Sequence, residues 1–304
     1  GGGPALLGER GARWFGRRAT SGLNGVALAP DGRRALAACD DGCLYEIDLE
    51  RRAVRAALRG HRAAVLCAAF SPDGRHAVSG SWDRGAYLWR LGEPDPLARW
   101  PGGGDPVNAV AFSGSGERVY LGTFNGEVAE WDPATGTTRA LLRHRGSVKA
   151  LAATPRGVVS VGRDGTVGRF EAGATSSFRA GASILNGVAL SSDGSKLATV
   201  SRRNGVELWT RAGERLAQFA AHPVSAKGVA FGAGGRIAAV YYDGTAGVWE
   251  PASGMARLER ISRSSLSQVL RTPRGWLASA WDAAGTLHLL DPEGAPVGEV
   301  QIAA

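Results

Sequence analysis

Residues 65–89 read VLCAAFSPDGRHAVSGSWDRGAYLW, and this stretch decides the fold. Two glycine-containing turns, 71–74 and 83–85, divide it into three short runs of small and apolar residues. Short runs separated by turn signals about every 8–12 residues are typical of antiparallel β structure. The stretch therefore predicts three consecutive strands joined by tight turns.

The same pattern recurs along the chain. The glycines of the first turn follow one another at spacings of 42, 42, 41, 37, 41 and 40 residues; they are Gly32, Gly74, Gly116, Gly157, Gly194, Gly235 and Gly275. A period near forty residues predicts stacked similar units, each of which buries its apolar faces against its neighbours. Seven periods predict seven units.

The second turn of each period is a hairpin signal. In five periods it carries Asp-Gly or Asn-Gly, at 41–42, 125–126, 164–165, 204–205 and 243–244. These dipeptides tolerate positive φ and predict two-residue hairpin turns. The strand before the turn is mostly small or β-branched, as at 158–161, which suits sheets that converge on a common axis.

A large aromatic residue ends the third run of most periods. It follows the hairpin Asp or Asn by six positions at Trp89, Trp131, Phe170 and Trp249, and by five at Trp209. The pattern resembles the WD-repeat β-propellers, whose repeats carry a Gly-His pair, a Ser or Thr, an Asp and a Trp in this order. The resemblance covers roughly residues 20 to 295. It implies an all-β fold, a seven-bladed β-propeller with four-stranded antiparallel blades, which we expect to occupy residues 1–304 as a single domain.

The second period holds the complete set of motif residues: His61, Ser79, Asp83 and Trp89. The first three have the composition of a hydrolase triad. The resemblance implies instead a structural network in which buried hydrogen bonds tie loop, strand and hairpin together.

The ring must close, and the chain offers two candidates for the last outer strand. Residues 13–19 are the first, preceded by a tail at 1–12, and residues 297–302 are the second. Members of the family commonly close with the N-terminal strand, so we expect residues 13–19 to complete the last blade.

The residue just before the hairpin Asp or Asn is expected on one rim of the ring, a position that family members often use to contact partners. Around the ring it is Asp40, Trp82, Phe124, Arg163, Arg203, Tyr242 and Trp281. Aromatic and arginine side chains dominate interface hot spots. We therefore predict a partner-binding rim made of Trp82, Phe124, Arg163, Arg203, Tyr242 and Trp281. The alternative is that these aromatics only cover neighbouring blades.

The chain is basic, with 36 Lys and Arg against 28 Asp and Glu. Only three of the basic residues are lysines, Lys149, Lys196 and Lys227, and the arginines are dispersed over turns and outer strands. We interpret the charge first as a solvated surface and second as a surface for an acidic protein partner. Nucleic acid is the least favoured partner because no basic run or aromatic-basic motif appears.

The three cysteines indicate neither a disulfide framework nor a metal site. Cys39 and Cys43 flank the turn at 41–42 and are expected on opposite faces of the hairpin, and Cys67 stands alone. His76 and His288 have no companion ligands at metal spacing. No metal or other cofactor is implied.

These observations predict a non-catalytic protein–protein interaction scaffold, a subunit of a larger assembly. An enzymatic or ligand-binding propeller, the alternative, would need carboxylates or histidines converging in the central channel. A nucleic-acid-associated subunit that binds through the basic surface is a further alternative.

No apolar run approaches the 18 or so residues that span a bilayer, so no membrane span is expected. The chain begins with Gly1 and its only methionine is Met255, so the natural start is missing. The sequence leaves open whether a signal or transit segment has been removed, so the compartment stays unassigned, with the cytoplasm favoured over others.

Overall fold

The computed structural model describes residues 22–181, 184–203, 205–219 and 222–302. These residues form seven four-stranded antiparallel sheets, in each of which the strand order follows the chain order. One 3-10 turn, Ala233–Gly235, is the sole helical element in the described ranges, and no helix there is long and apolar enough to cross a membrane. The prediction of a seven-bladed, all-β propeller is confirmed.

The strands are grouped four to a blade, in chain order. Blade 1 comprises β1 (Leu23–Leu28), β2 (Arg34–Cys39), β3 (Cys43–Asp48) and β4 (Ala53–Arg59), and blade 2 comprises β5 (Val65–Phe70), β6 (His76–Ser81), β7 (Ala86–Arg90) and β8 (Pro96–Arg99). Blade 3 comprises β9 (Val107–Phe112), β10 (Val119–Thr123), β11 (Glu127–Trp131) and β12 (Thr138–Arg143), and blade 4 comprises β13 (Val148–Thr154), β14 (Gly157–Gly162), β15 (Thr166–Glu171) and β16 (Ala174–Arg179). Blade 5 comprises β17 (Leu185–Leu190), β18 (Lys196–Ser201), β19 (Gly205–Thr210) and β20 (Arg215–Gln218), and blade 6 comprises β21 (Ala226–Phe231), β22 (Ile237–Tyr241), β23 (Thr245–Glu250) and β24 (Met255–Arg260). Blade 7 comprises β25 (Leu266–Thr272), β26 (Gly275–Ala280), β27 (Thr286–Leu290) and β28 (Pro296–Gln301).

The first strands of the blades lie next to one another around a central axis. β1 contacts β5, the contacts continue from blade to blade, and β25 contacts β1, so the ring closes. The first strands therefore line the central channel, and the fourth strands lie outermost.

The core is divided among the interfaces between adjacent blades. Each interface in the described residues holds one cluster of buried apolar side chains. The large residue that ends the third strand enters the cluster shared with the preceding blade, as Trp89 does between blades 1 and 2. Ile47 and Leu290 take this place in blades 1 and 7. Removal of this apolar surface from water drives each blade to pack on the next.

The seventh blade is completed by the C-terminal segment. β28 pairs with the outer edge of β27, from Thr286 opposite Gln301 to Leu290 opposite Pro296. The position that the sequence analysis assigned to residues 13–19 is thus held by β28; residues 13–19 themselves lie outside the described ranges. Val300 of β28 is buried in the cluster between blades 7 and 1, which gives this strand its packing partner.

The hairpins between second and third strands have loops of three residues in most blades, not the two expected. In blade 1, Ala38 pairs with Leu44, so residues 40–42 form the loop. Gly42 has φ of +83° and its amide donates to the Cys39 carbonyl, which is typical of a type I turn followed by a left-handed residue. The same register puts Cys39 opposite Cys43, and both side chains enter the cluster between blades 7 and 1. The expectation that they face opposite sides was wrong because it assumed the shorter loop.

Candidate functional site

The first residues of the second-to-third hairpin loops lie on one rim of the ring. The backbone amide of each donates to the carbonyl of the residue just before the first strand of its own blade, as from Trp82 to Ala64 at 3.0 Å and from Tyr242 to Ser225 at 3.2 Å. This bond fixes each loop beside the N-terminal end of a channel-lining strand. We call the surface formed by these seven positions the rim face; they are Asp40, Trp82, Phe124, Arg163, Arg202, Tyr242 and Trp281.

Blade 5 departs from the sequence prediction by one residue. There the amide that binds the Ile184 carbonyl belongs to Arg202. The pairing of Ser201 with Gly205 makes Arg203 the middle residue of the loop, where Asp83 lies in blade 2. Both arginines are exposed. The signal was present in the sequence, because Trp209 follows Arg203, and not Asn204, by the usual six positions.

Four aromatic side chains of the rim face are exposed. Trp82, Phe124, Tyr242 and Trp281 have 46%, 40%, 44% and 52% of their surface accessible. The rings of Trp82 and Phe124, on neighbouring blades, have centroids 5.4 Å apart. The rim aromatics thus contact one another in part but are not covered by the blades, and exposed apolar surface gathered on one face is typical of an interaction site.

The rim face crosses the junction between the last and the first blade. The Trp281 indole donates to Asp40 Oδ2 at 3.2 Å, and the Asn24 side-chain amide donates to Asp40 Oδ1 at 2.7 Å. Both carboxylate oxygens of Asp40 therefore accept hydrogen bonds from uncharged donors.

The second residue of every first strand is a one-residue bulge at the channel mouth. In blades 1, 3, 5 and 7 its side chain donates to the carbonyl of the first residue in the next blade's first strand; the pairs are Asn24 to Val65 at 3.0 Å, Asn108 to Val148 at 3.0 Å, Asn186 to Ala226 at 2.7 Å and Ser267 to Leu23 at 2.7 Å. These bonds join successive blades where the channel opens.

Blades 4 and 6 carry lysines at this bulge, Lys149 and Lys227, and both are half-buried. The Lys227 ammonium lies 5.3 Å from the centroid of the Tyr242 ring, a cation–π contact. Burial, and then the charge of Arg163, lower the pKa of Lys149. Sequence reasoning missed these residues as site candidates; the available signal was that two of the three lysines share one position in the repeat.

The structure brings His61, Ser79, Asp83 and Trp89 together. His61 Nδ1 lies 2.9 Å from Asp83 Oδ2 and His61 Nε2 lies 2.7 Å from Ser79 Oγ. The Trp89 indole donates to Ser79 Oγ at 2.8 Å. Because Asp83 can only accept when ionised, Nδ1 carries the imidazole proton and Nε2 accepts from the serine.

The environment of this network sets its charges. Burial lowers the pKa of His61, although Asp83 acts in the opposite direction. Burial alone would raise the pKa of Asp83, but hydrogen bonds from the Arg62 amide and from His61 lower it overall. The His61 ring is also stacked on Tyr87 at 4.1 Å. Ser79 is fully buried, so its hydroxyl has no access to a substrate.

Other blades hold partial copies of the network. In blade 4, His144 Nε2 lies 2.8 Å from Ser160 Oγ. In blade 6 the position of Ser79 is Ala239, which pairs with Gly247, and the buried indole nitrogen of Trp249 has no hydrogen-bond partner among the described residues. Among the described residues no three His, Cys, Asp or Glu side chains are grouped as metal ligands would be.

Comparison with known proteins places one part of the chain in a described family. The family model "WD domain, G-beta repeat" matches residues 53–90, which run from β4 to the end of β7 and include the whole His61 network. WD repeat-containing protein 90 is similar to this chain: the Mus musculus protein is 27% identical over 133 residues, 43% of this chain and 7% of that protein. The Homo sapiens protein is 29% identical over 136 residues, 44% of this chain and 8% of that protein.

A third relative is the "66 kDa stress protein" of Physarum polycephalum, 24% identical over 131 residues, 41% of this chain and 22% of that protein. The matched region is less than a quarter of the length of each of these relatives.

Seven sheets closed around a channel, with polar networks between loop and hairpin, define a seven-bladed β-propeller. Residues 53–90 match the WD-repeat model, and the relatives show that part of the chain is similar to WD repeat-containing proteins. Proteins of the WD-repeat family, which this propeller resembles, are generally scaffolds for protein interactions.

Proposed function

We propose that this propeller is a non-catalytic protein-interaction scaffold, a subunit of a larger assembly, and that its partner docks on the rim face. The observation that carries the proposal is the exposure of Trp82, Phe124, Tyr242 and Trp281 on one face of the ring. Exposed aromatics held by rigid hairpins lose little conformational freedom on binding, and such residues dominate interface hot spots.

The His61 network has a structural role in this proposal. Ser79 is fully buried and its oxygen already accepts the Trp89 indole, so it is not a nucleophile open to substrate. A buried network whose hydrogen bonds are all formed stabilises one position of the hairpin relative to other positions. In this way the network holds Trp82, the residue before Asp83, at the rim.

The test compares two double variants in affinity purification from the native source, with mass spectrometry of the co-purified proteins. Trp82→Ala with Tyr242→Ala removes two rim aromatics. Leu216→Ala with Leu258→Ala is the matched control, since these side chains are 45% and 46% exposed but lie on the outer strands β20 and β24.

We expect the rim variant to lose the partner, because truncation of a hot-spot aromatic removes about 2 kcal/mol or more of binding free energy. The control variant should keep the partner, and both should melt within a few degrees of the wild type. Full-strength binding by the rim variant would mean that the partner uses the side or the opposite face of the ring.

A further inference from the structure

The mouth of the channel on the rim face holds more positive than negative charge. Lys149 and Lys227 lie at the bulges of β13 and β21, two blades apart. Within the described ranges neither ammonium group has a hydrogen-bond or ion-pair partner, whereas the asparagines at the same position in blades 1, 3 and 5 bind the next blade. The lysines are therefore available for a ligand.

The two lysines occupy the same position of the repeat, the bulge at the channel mouth, and the Lys227 ammonium lies 5.3 Å from the ring centroid of Tyr242 on the rim face. After burial, the charge of Lys149 lowers the pKa of Lys227, and the charge of Asp40 acts in the opposite direction. Lys149 and Lys227 lie at the bulges of blades 4 and 6, and Asp40 lies on the rim face in blade 1 beside the start of β1, so the three residues surround the same channel mouth. Arg163 adds a fourth charge beside Lys149.

Among the described residues Asp40 is the carboxylate whose charge opposes the lowering of the Lys227 pKa, and its two oxygens already accept from Asn24 and Trp281. Two half-buried cations that repel each other and have no carboxylate partner gain from an anion placed between them. The surrounding surface is aromatic: Tyr242 contacts Lys227, and Trp82 with Phe124 lies on blades 2 and 3.

We propose that the channel mouth binds an acidic peptide segment, with a carboxylate side chain of the segment held between the ammonium groups of Lys149 and Lys227. This rests on the proposed function and names the chemistry of the partner. The rim aromatics contact the apolar residues that flank the carboxylate. A peptide fits better than a nucleic acid, because two recessed lysines and Arg163 offer few phosphate contacts, while nucleic-acid binding needs a row of them.

The test uses fluorescence anisotropy with a fluorescein-labelled hexaglutamate peptide, a hexaglutamine peptide and a twelve-residue oligothymidylate, all at the same ionic strength. Lys149→Met with Lys227→Met removes the two charges and keeps the apolar stems. Lys196→Met with Arg274→Met is the control: it removes two charges from the other end of the blades, at the start of β18 and in the turn between β25 and β26. Both variants lower the formal net charge of +8 by the same amount.

We expect the wild type to bind hexaglutamate and not hexaglutamine, the channel variant to bind it at least about tenfold more weakly, and the control variant to change its affinity less than about twofold. No binding of hexaglutamate by the wild type would overturn the proposal. So would an equal loss in both double variants, an unchanged channel variant, or tighter binding of the oligothymidylate than of the peptide.

The outcome is separable from that of the rim-face test. If the channel variant keeps the peptide while the Trp82 and Tyr242 variant loses the native partner, the carboxylate site is wrong and the rim face stands. If the channel variant loses the peptide while the aromatic variant keeps the partner, the carboxylate site stands and the rim face is wrong.

Discussion

Ser267 Oγ donates a hydrogen bond of 2.7 Å to the carbonyl oxygen of Leu23, which lies 244 residues earlier in the chain. The next residue, Gln268, accepts the Val26 amide at 2.9 Å through Oε1. Both bonds join β25 to β1. All four strands of blade 7 come from consecutive sequence, so these bonds and the apolar cluster between blades 7 and 1 hold the ring closed in the described part of the molecule.

Deletion of residues 296–304 should lower the melting temperature more than deletion of residues 1–19. The first deletion removes β28, exposes the edge of β27 and uncovers the cluster that Val300 closes. Loss of Val300 burial alone costs about 1.5–3 kcal/mol, and a bare strand edge promotes aggregation. Thermal unfolding, followed by circular dichroism, measures the melting temperatures of both deletion variants. The opposite order of melting temperatures would show that the N-terminal residues carry the closure.

Gln268→Ala should destabilise the fold by about 1–3 kcal/mol, because it leaves the Val26 amide without its acceptor at the closing interface. Gln301→Ala is the control: this glutamine is exposed and its side-chain amide donates to the side chain of Glu299. Urea unfolding gives both free energies. Equal values for the two variants would mean that Gln268 does not contribute to closure.

Asp83→Ala should cost about 1–3 kcal/mol, because the His61 ring and the Arg62 and Gly85 amides lose their acceptor. Asp95→Ala, at an exposed position, should stay within about 0.5 kcal/mol of the wild type. Urea unfolding of the two variants and the wild type measures these free energies of unfolding. A melting curve unchanged by the Asp83 substitution would contradict a stabilising role for the network.

The repeat period, the number of blades and the strand order could be predicted from the sequence. Each of them depends on local turn residues and on short apolar runs that repeat along the chain. The sequence was insufficient for closure. Residues 13–19 were favoured because members of the family commonly close with the N-terminal strand, whereas the pairing of β28 depends on the burial of a side chain such as Val300 against blade 1.

The errors in the hairpins have one cause. Asp41-Gly42 was interpreted as a two-residue turn, but the glycine alone takes positive φ and the loop has three residues. The extra residue moves Cys43 to the face of Cys39. In blade 5 the count began from Asn204, so Arg203 was assigned the rim position that Arg202 holds. Register depends on single residues, and composition does not specify it.

Ala239→Ser should stabilise the protein, in contrast to most substitutions in a core. In the part of the chain that the structure describes, the buried Trp249 indole nitrogen has no partner, and Ser79 shows that a serine at the equivalent position of blade 2 accepts an indole at 2.8 Å. A new bond to a buried donor contributes about 0.5–1.5 kcal/mol. Ala37→Ser is the control and should destabilise, because it lies at the equivalent, fully buried position of blade 1, where Ile47 takes the place of the indole. A lower melting temperature for the Ala239 variant would mean that blade 6 cannot accommodate the hydroxyl.

As the pH is lowered, the free energy of unfolding should decrease in two separate pH ranges. Burial lowers the pKa of His61 and of His288 below the ordinary 6.5, so the folded state holds neutral imidazoles that protonate more readily after unfolding. Their contribution is complete above pH 6.5 and is lost as the pH falls below it, at up to about 1.4 kcal/mol per pH unit for each histidine. Hydrogen bonds outweigh burial and lower the pKa of Asp83 and Asp164 below 3.8, so their contribution is complete above that value and is lost only at lower pH.

Urea unfolding at pH 7.5, 5.5 and 4.5 tests the first range. The double variant His61→Gln with His288→Gln should be less stable than the wild type at pH 7.5 but should lose less stability between pH 7.5 and 4.5, because the folded state no longer excludes two protons that the unfolded state binds. Its acid unfolding below pH 3.8 should persist, since the aspartates remain. A wild type whose stability is constant from pH 7.5 to 4.5, or a double variant with the full wild-type slope, would show that these buried histidines do not control the response.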